Sequence, residues 1–486
     1  MLKSINTLTN YFQQILFCFI TFFNLIYSNN TEEYIYPDIK EFQLDNGMHV
    51  LISPNYDNPL INIRLIVNVG ILDEPLDKPG LAVEMIKNLL NGTEKYSNKK
   101  TIKEKIFSFG DTDGNLKTYY IDNENIFIDQ IFLKRDTKDA IEFFSEIIRR
   151  PTFDNTGGII KKYSKRFFYR LIPGDFNYVS DWEKIQIHSN YMFNNMFSPI
   201  NAKLFSYTKK EVKNWYFQYF RPEYTTLMIS GDVNIINIKK LIKKNFGDWK
   251  SDQPLPDKRN YNINITNNSG IKIRFINTNL EQAGLRITKR TTALGKFWDP
   301  AGTMAQIIFN EIPNNRIDMI RKKMNNAGSF DKSWLISNRM PYTSLTYLIN
   351  YSYLNDLYSE FIKEFKSISN NSIKMEELEA AKIWRINQYN NTIYDLANLN
   401  QHVLYYYTKN GYSIENLKNM QNDIRNVTLE EVHTAAKKIY DPENFVMVLT
   451  GKKDSCSTFL SQFESVQYYN SKDEINKYDK GKNRRN

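Results

Sequence analysis

A stretch near the middle of the chain and another near its end read as one unit written twice. Residues 211–231 are EVKNWYFQYFRPEYTTLMISG, and residues 431–451 are EVHTAAKKIYDPENFVMVLTG. Glu-Val, an aromatic, Pro-Glu and the closing Gly recur in register, each 220 positions apart. Each segment runs from a helix through a Pro-Glu break into a short apolar strand ended by glycine. The offset nearly holds at the front of each half. There Asn46-Gly47 leads into Met48–Ile52 and Ser269-Gly270 into Ile271–Ile276. A chain so built folds as two similar halves, each needing its own core.

The 486 residues suit that division, since one ordinary domain is far shorter. The spacing predicts a half from 36 to 253, a linker from 254 to 267 marked by Pro254 and Pro256, and a half from 268 to 468. A basic tail covers 469–486. Ile61, Ile63, Leu65, Val67 and Val69 alternate with more polar neighbours and predict a half-buried strand. Lys138–Arg150 and Met375–Gln388 carry helical spacing. The mixture is α+β, two homologous halves, each an antiparallel sheet covered by helices.

At 41% hydrophobic and 24% charged residues the composition is that of a globular protein. The net charge of +10 is scattered, with one dense run at Lys480, Lys482, Arg484 and Arg485. With neither a Cys/His finger nor a basic stripe interleaved with aromatics, no nucleic-acid partner is expected. Cys18 and Cys456 are too few for a disulfide framework or a thiolate metal site. The four histidines, at 49, 188, 402 and 433, are too far apart for any two to share a helix face. Residues 1–28 predict a signal peptide or an N-terminal anchor, because Ile15–Tyr27 is apolar but short for a membrane span. Export to a periplasmic or extracellular space is expected, with anchoring through residues 15–27 as the alternative.

From Phe42 to Gly451 the order of segments resembles the pitrilysin/insulinase zinc peptidases, the inverted zincins that include the mitochondrial processing peptidases. FQLDNGMHVLI is similar to that family's first strand, and GLAVEMIKNLLNGTEKYS to its active-site helix. FRPEYTTLMISGDV followed by KKLIKKNFGDW resembles the end of its first half. Gln282 and NNRIDMIRKK stand where the second half has similar segments. The family's helix carries H-x-x-E-H, in which two histidines one turn apart hold zinc and the glutamate is the base toward metal-bound water. Framed by Gly80-Leu81-Ala82 and Gly92-Thr93, the histidine positions here become Val83 and Lys87, and the glutamate becomes Ile86. The resemblance places a third ligand, a glutamate, on a later helix, yet Asn155–Gly174 holds no acidic residue. No zinc or other cofactor is therefore expected, and the same helix serves equally as an amphipathic core helix.

In the second half the family has an arginine, and a tyrosine seven residues later, that reach the substrate. Arg321 matches the arginine, with Arg316 as the alternative, while the tyrosine position becomes Gly328, or Phe330 if two residues are inserted. A surface helix arginine is the competing reading. The resemblance implies a non-catalytic homologue that pairs with a zinc-bearing one around a peptide, in peptide degradation or processing. The alternative is an enzyme-dead scaffold subunit of a membrane-associated complex.

Overall fold

The computed structural model describes residues 36–154, 207–256, 272–290, 299–335 and 342–470, apart from positions 76, 77, 79, 123, 326, 327, 411, 443 and 444. The leader, the stretch 155–174, residues 257–267 of the linker and residues 471–486 of the tail lie outside the described residues.

In the first half the period-two apolar runs become β1 (Lys40–Gln43), β2 (His49–Pro54), β3 (Leu60–Val67), β4 (Thr118–Ile121), β5 (Ile126–Leu133) and β6 (Thr225–Gly231). They form one sheet in the order β1-β2-β6-β3-β5-β4. Among the described residues its helices are α1 (Leu81–Asn88), α2 (Lys99–Ser108), α3 (Thr137–Arg149), α4 (Lys209–Tyr219) and α5 (Ile235–Phe246). The second half repeats the plan. Its strands are β7 (Lys272–Asn277), β8 (Ala283–Arg290), β9 (Ser329–Leu335), β10 (Tyr342–Ile349), β11 (Val446–Gly451) and β12 (Val466–Asn470), in the order β12-β7-β11-β8-β10-β9. Its helices are α6 (Pro300–Asn310), α7 (Arg316–Lys323), α8 (Leu354–Ser369), α9 (Met375–Tyr394), α10 (Leu396–Asn410), α11 (Ile414–Asn426), α12 (Leu429–Tyr440) and α13 (Lys453–Leu460).

Taking β2 with β7 and β6 with β11, the inner four strands of the two sheets correspond in order, and the registers agree. Val50 lies beside Leu227, and Ile273 beside Met447. Both of these pairs are parallel, as is β12 with β7, so the sheets are mixed where antiparallel ones were expected. The cause is connectivity, because β6 and β11 return only after a long helical excursion, as parallel strands require. The tail departs from its expected start at 469, since β12 continues to Asn470.

The twice-written segment folds alike each time. Thr208 and Thr428 cap α4 and α12, accepting from the backbone N–H of Glu211 and Glu431, whose carboxylates bond back to the threonine N–H groups. Pro222 opens a single 3-10 turn after α4, and Pro442 follows the Asp441 cap of α12. Gly231 and Gly451 end their strands with φ of 117° and 159°.

One face of each sheet meets its helices in a separate apolar core. In the first, Ile61, Ile63, Leu65 and Val67 pack with Met85, Leu89, Phe144 and Ile147. Each such side chain contributes about 1.5–3 kcal/mol by leaving water. The second core gathers Leu285, Ile287, Phe309, Phe361, Phe365 and Met447. The prediction of a half-buried β3 is corrected, for Asn62 and Arg64 on its other face are also buried. The cover comes from the second half, whose α10 lies across β3, β5 and β6.

Glycine is required at position 231. A Cβ there would sit 2.1 Å from the Leu60 carbonyl oxygen, whereas at Gly451 it would meet the Tyr351 ring at 2.9 Å and the Cys456 sulfur at 3.0 Å. Backbone cannot yield as side chains can. Gly231→Ala is expected to lower stability by about 3 kcal/mol or more and Gly451→Ala by clearly less, as measured by chemical denaturation.

Candidate functional site

Helix α1 begins after Gly80, whose φ of 89° turns the chain into it. No side chain at Gly80 can cap the helix, and the cap comes from a loop residue instead. Gly80 N–H donates to Glu74 Oε2 at 2.6 Å and Ala82 N–H to Oε1 at 2.7 Å. Glu74 has no solvent exposure, and burial pushes its carboxyl up to about 8 despite the backbone donors that favour the charged form. Lys78 in the same loop pairs with Glu211 at 3.0 Å, tying the entry of α1 to the capping box of α4.

Leu81, Ala82, Met85 and Ile86 face the core, against α4 and β4. Ile86, at the position of the family's glutamate base, is 3% exposed and belongs wholly to that packing. Val83 and Lys87 are half-buried on the adjoining side. Between the two sides lies Glu84, with no exposure. Asn88 Nδ2 donates to Glu84 Oε1 at 3.0 Å, and Asn91 Nδ2 to Asn88 Oδ1 at 2.7 Å. Burial lowers the proton affinity of Lys87, and the charge of Glu84 raises it.

The structure brings no histidine to this helix among the described residues. His49 sits in β2, where Nδ1 lies 3.1 Å from the Tyr407 hydroxyl of α10 and Nε2 3.2 Å from Gln43. His402 lies between Tyr389, met edge to face, and Tyr406, met at a tilt, and His433 Nε2 meets the Ile373 carbonyl at 2.9 Å. Among the described residues no group of three or more His, Cys, Asp or Glu side chains could hold a metal. The acid-free stretch 155–174 lies outside them.

Arg321 stands near the end of α7, 3.9 Å from Asp318, and its charge acts on the Tyr347 phenol of β10, opposing the upward push that burial gives that hydroxyl. Gly328, seven residues on, has φ of 83°, and a Cβ there would lie 2.0 Å from the Leu348 carbonyl, so no side chain fits. The backbone of Phe330 pairs with Tyr347 in the sheet. The phenol whose ionisation Arg321 influences is thus supplied by a neighbouring strand. Arg316 is held differently. It donates to Glu364 at 3.0 Å, to Glu377 at 2.8 Å and to the Ser372 carbonyl at 3.2 Å, bracing α7 against α8 and α9.

Sequence reasoning passed over Glu74 and Tyr347. A lone glutamate in a loop and a tyrosine in an alternating strand carry no local signature. Glu74 has a measurable consequence. Its folded carboxyl keeps a proton that the unfolded chain loses above about pH 4.5, so its contribution to stability declines as pH rises from there to about 8. The decline approaches about 1.4 kcal/mol per pH unit, and Glu74→Gln should remove it in denaturation curves across that window.

Residues 49–157 match the family model described as Insulinase (Peptidase family M16), and residues 206–383 match Peptidase M16 inactive domain. The probable zinc protease PqqL of Haemophilus influenzae is 24% identical over 226 residues, covering 43% of this chain and 23% of that protein. A protease from Helicobacter pylori superposes with a TM-score of 0.73 at 12% identity, over 85% of this chain and 99% of that one. A peptidase M16 inactive domain from Pseudomonas fluorescens gives 0.70 at 13%, over 85% and 98%. The periplasmic protease PqqL from Escherichia coli gives 0.67 at 15%, over 87% of this chain and 49% of that one, so this chain spans about half its length. At these identities the structural likeness is one of fold. The two family matches follow in order along a chain whose paired halves carry that fold, and the chain belongs to the peptidase M16, or insulinase, family.

Proposed function

We propose that this chain is a non-catalytic peptidase M16 homologue that receives peptide together with a zinc-bearing homologue, in peptide degradation or processing. The observation that carries the reading is the state of α1. The helix keeps its core contacts through Leu81, Ala82, Met85 and Ile86, while Val83, Ile86 and Lys87 replace every ligand and the base of H-x-x-E-H. Valine and isoleucine offer no donor atom, and an ammonium has no lone pair for a metal. Partnership is supported by the likeness to the first half of PqqL from Escherichia coli, of which this chain covers 94%. A complementary half on another chain would complete such an arrangement. The Arg321–Tyr347 pair supplies a positive group of the kind that holds a peptide carbonyl or carboxylate.

Export is part of the proposal, supported by the apolar leader and by the periplasmic description of the Escherichia coli protein. Among the described residues no helix is long and apolar enough to cross a membrane. The second reading, an enzyme-dead scaffold subunit, is favoured by one feature, the engagement of Arg321 with Asp318 and Tyr347 inside its own half.

The test is co-expression of the tagged full chain with a homologue from the same organism that carries an intact H-x-x-E-H. The expected result is a stable pair that cleaves an unstructured peptide at least tenfold faster than the homologue alone, with no cleavage by this chain alone. A pair whose activity is lost on Arg321→Ala would give that arginine a substrate role. Hydrolysis by this chain alone, or a homologue fully active without it, would overturn the proposal.

A further inference from the structure

Helix α5 follows β6 and buries Ile238, Ile242 and Phe246 in the first core. Its other side carries Lys239, Lys240, Lys243 and Lys244, all exposed, and the helix contains no acidic residue. At about 100° per residue, Ile236, Lys240 and Lys243 share one stripe, flanked by Lys239 and Lys244. Ile236 thus stands in the middle of the basic arc, and it is 65% exposed. Just before the helix the Val233 carbonyl accepts from the Tyr56 hydroxyl at 3.4 Å, and Tyr56 is 68% exposed. Two large side chains therefore stand in water at one end of a field of lysines.

Neighbouring acids do little to hold that charge. Lys243 lies 4.0 Å from Asp45 and Lys244 3.7 Å from Glu142, long contacts at an exposed surface. Among the described residues Lys239 and Lys240 pair with no acid, and Lys239 lies over the Phe42 ring at 4.8 Å. Nor does the fold demand such a face. The corresponding helix of the second half, α13 after β11, exposes Lys453, Asp454, Ser455, Ser457 and Thr458, one cation beside one acid. A soluble polyanion would answer the lysines of α5 but leave Ile236 and Tyr56 in water. An anionic bilayer answers both, because its phosphates meet the ammonium groups while isoleucine and a phenol ring enter the headgroup layer. We infer that α5 together with Tyr56 forms a peripheral docking surface for an anionic lipid bilayer. The helix lies along the headgroups with its core side turned into the protein. This docking is independent of peptide reception.

In the experiment, full-length protein is sedimented with vesicles of phosphatidylcholine alone or of equal parts phosphatidylcholine and phosphatidylglycerol. Any affinity of the leader for lipid enters both measurements, so the ratio of the two Kd values is the reading. Anionic vesicles should bind roughly tenfold tighter or more at low salt, with the preference falling steeply as salt rises. Each lysine near the surface accounts for about a fivefold change. Replacing Lys239, Lys240, Lys243 and Lys244 together by Gln should therefore remove the preference. Ile236→Ser/Tyr56→Ser should weaken binding to anionic vesicles several-fold. Replacing Lys480, Lys482, Arg484 and Arg485 by Gln should leave the preference in place, and thermal melts check that each variant folds. Lysine acetylation of the bound protein, read by mass spectrometry, gives a second readout that the leader does not mask. The four α5 lysines should be protected on anionic vesicles and Lys453 should not. Absence of both preference and protection overturns the inference, as does a preference that survives in the folded α5 variant or vanishes in the tail variant. Equally tight binding of soluble polyglutamate through the same lysines, unchanged by Ile236→Ser/Tyr56→Ser, also overturns it and marks a site for an acidic protein.

Discussion

Helix α10 belongs by sequence to the second half, where it packs on α9 and α11, yet it also lies across the first sheet, and the union of the halves depends on that bridge. It lies on the face of the first sheet away from the sheet's own helices, where polar bonds run among buried apolar side chains such as Leu51, Ile66, Phe127 and Met228. Arg64, 2% exposed, donates to the Ala397 carbonyl at 3.2 Å and lies 3.8 Å from Asp129. Asn62 donates to Asp129 at 2.9 Å and has its own carbonyl engaged by Asn400 at 3.2 Å. Ser230 reaches the Leu396 carbonyl at 3.3 Å. Burying such groups yields little net stability, but each bond is satisfied in one placement of the helix. The seam therefore fixes how the halves sit while the two apolar cores supply the stability.

The second sheet repeats the device with different chemistry. Arg286 stands in β8 where Arg64 stands in β3, one strand from β11 as Arg64 is from β6. It is equally buried and bonds the Thr346 hydroxyl at 2.7 Å across to β10, where the first sheet has Asp129. A shared plan with divergent side chains is also the story of α1. A helix in this family has two tasks, to close a core and to present ligands. Its core side is intact here, and its other side holds Glu84, Asn88 and Lys87 instead of metal ligands.

Much of the plan was legible in the sequence because it rests on local rules. The offset of 220 between Glu211 and Glu431 marked two matching helices, and the structure opens each with a threonine three residues before that glutamate in a capping box. The breaks at Pro222 and Pro442 and the closing glycines follow from backbone geometry alone. The seam was not legible. Asn62 and Arg64 look like the solvent side of an alternating strand, and only a helix more than 300 residues away buries them. The parallel pairing of β2 with β6 is hidden for the same reason, since strand direction depends on the path between strands. At the site, the lost ligands were legible at Val83, Ile86 and Lys87. The contacts of Glu74 and of Tyr347 with Arg321 arise from packing that no spacing records.

The central claim is that α1 has kept its packing and given up the metal. The most direct test is the zinc content of the purified full-length chain after dialysis against a weak chelator, measured by elemental analysis. The account predicts far less than one zinc per chain, at the level of a chain whose α1 carries Lys87→Met. One zinc per chain, retained through dialysis and lost when residues of α1 or of the 155–174 stretch are replaced, would contradict it.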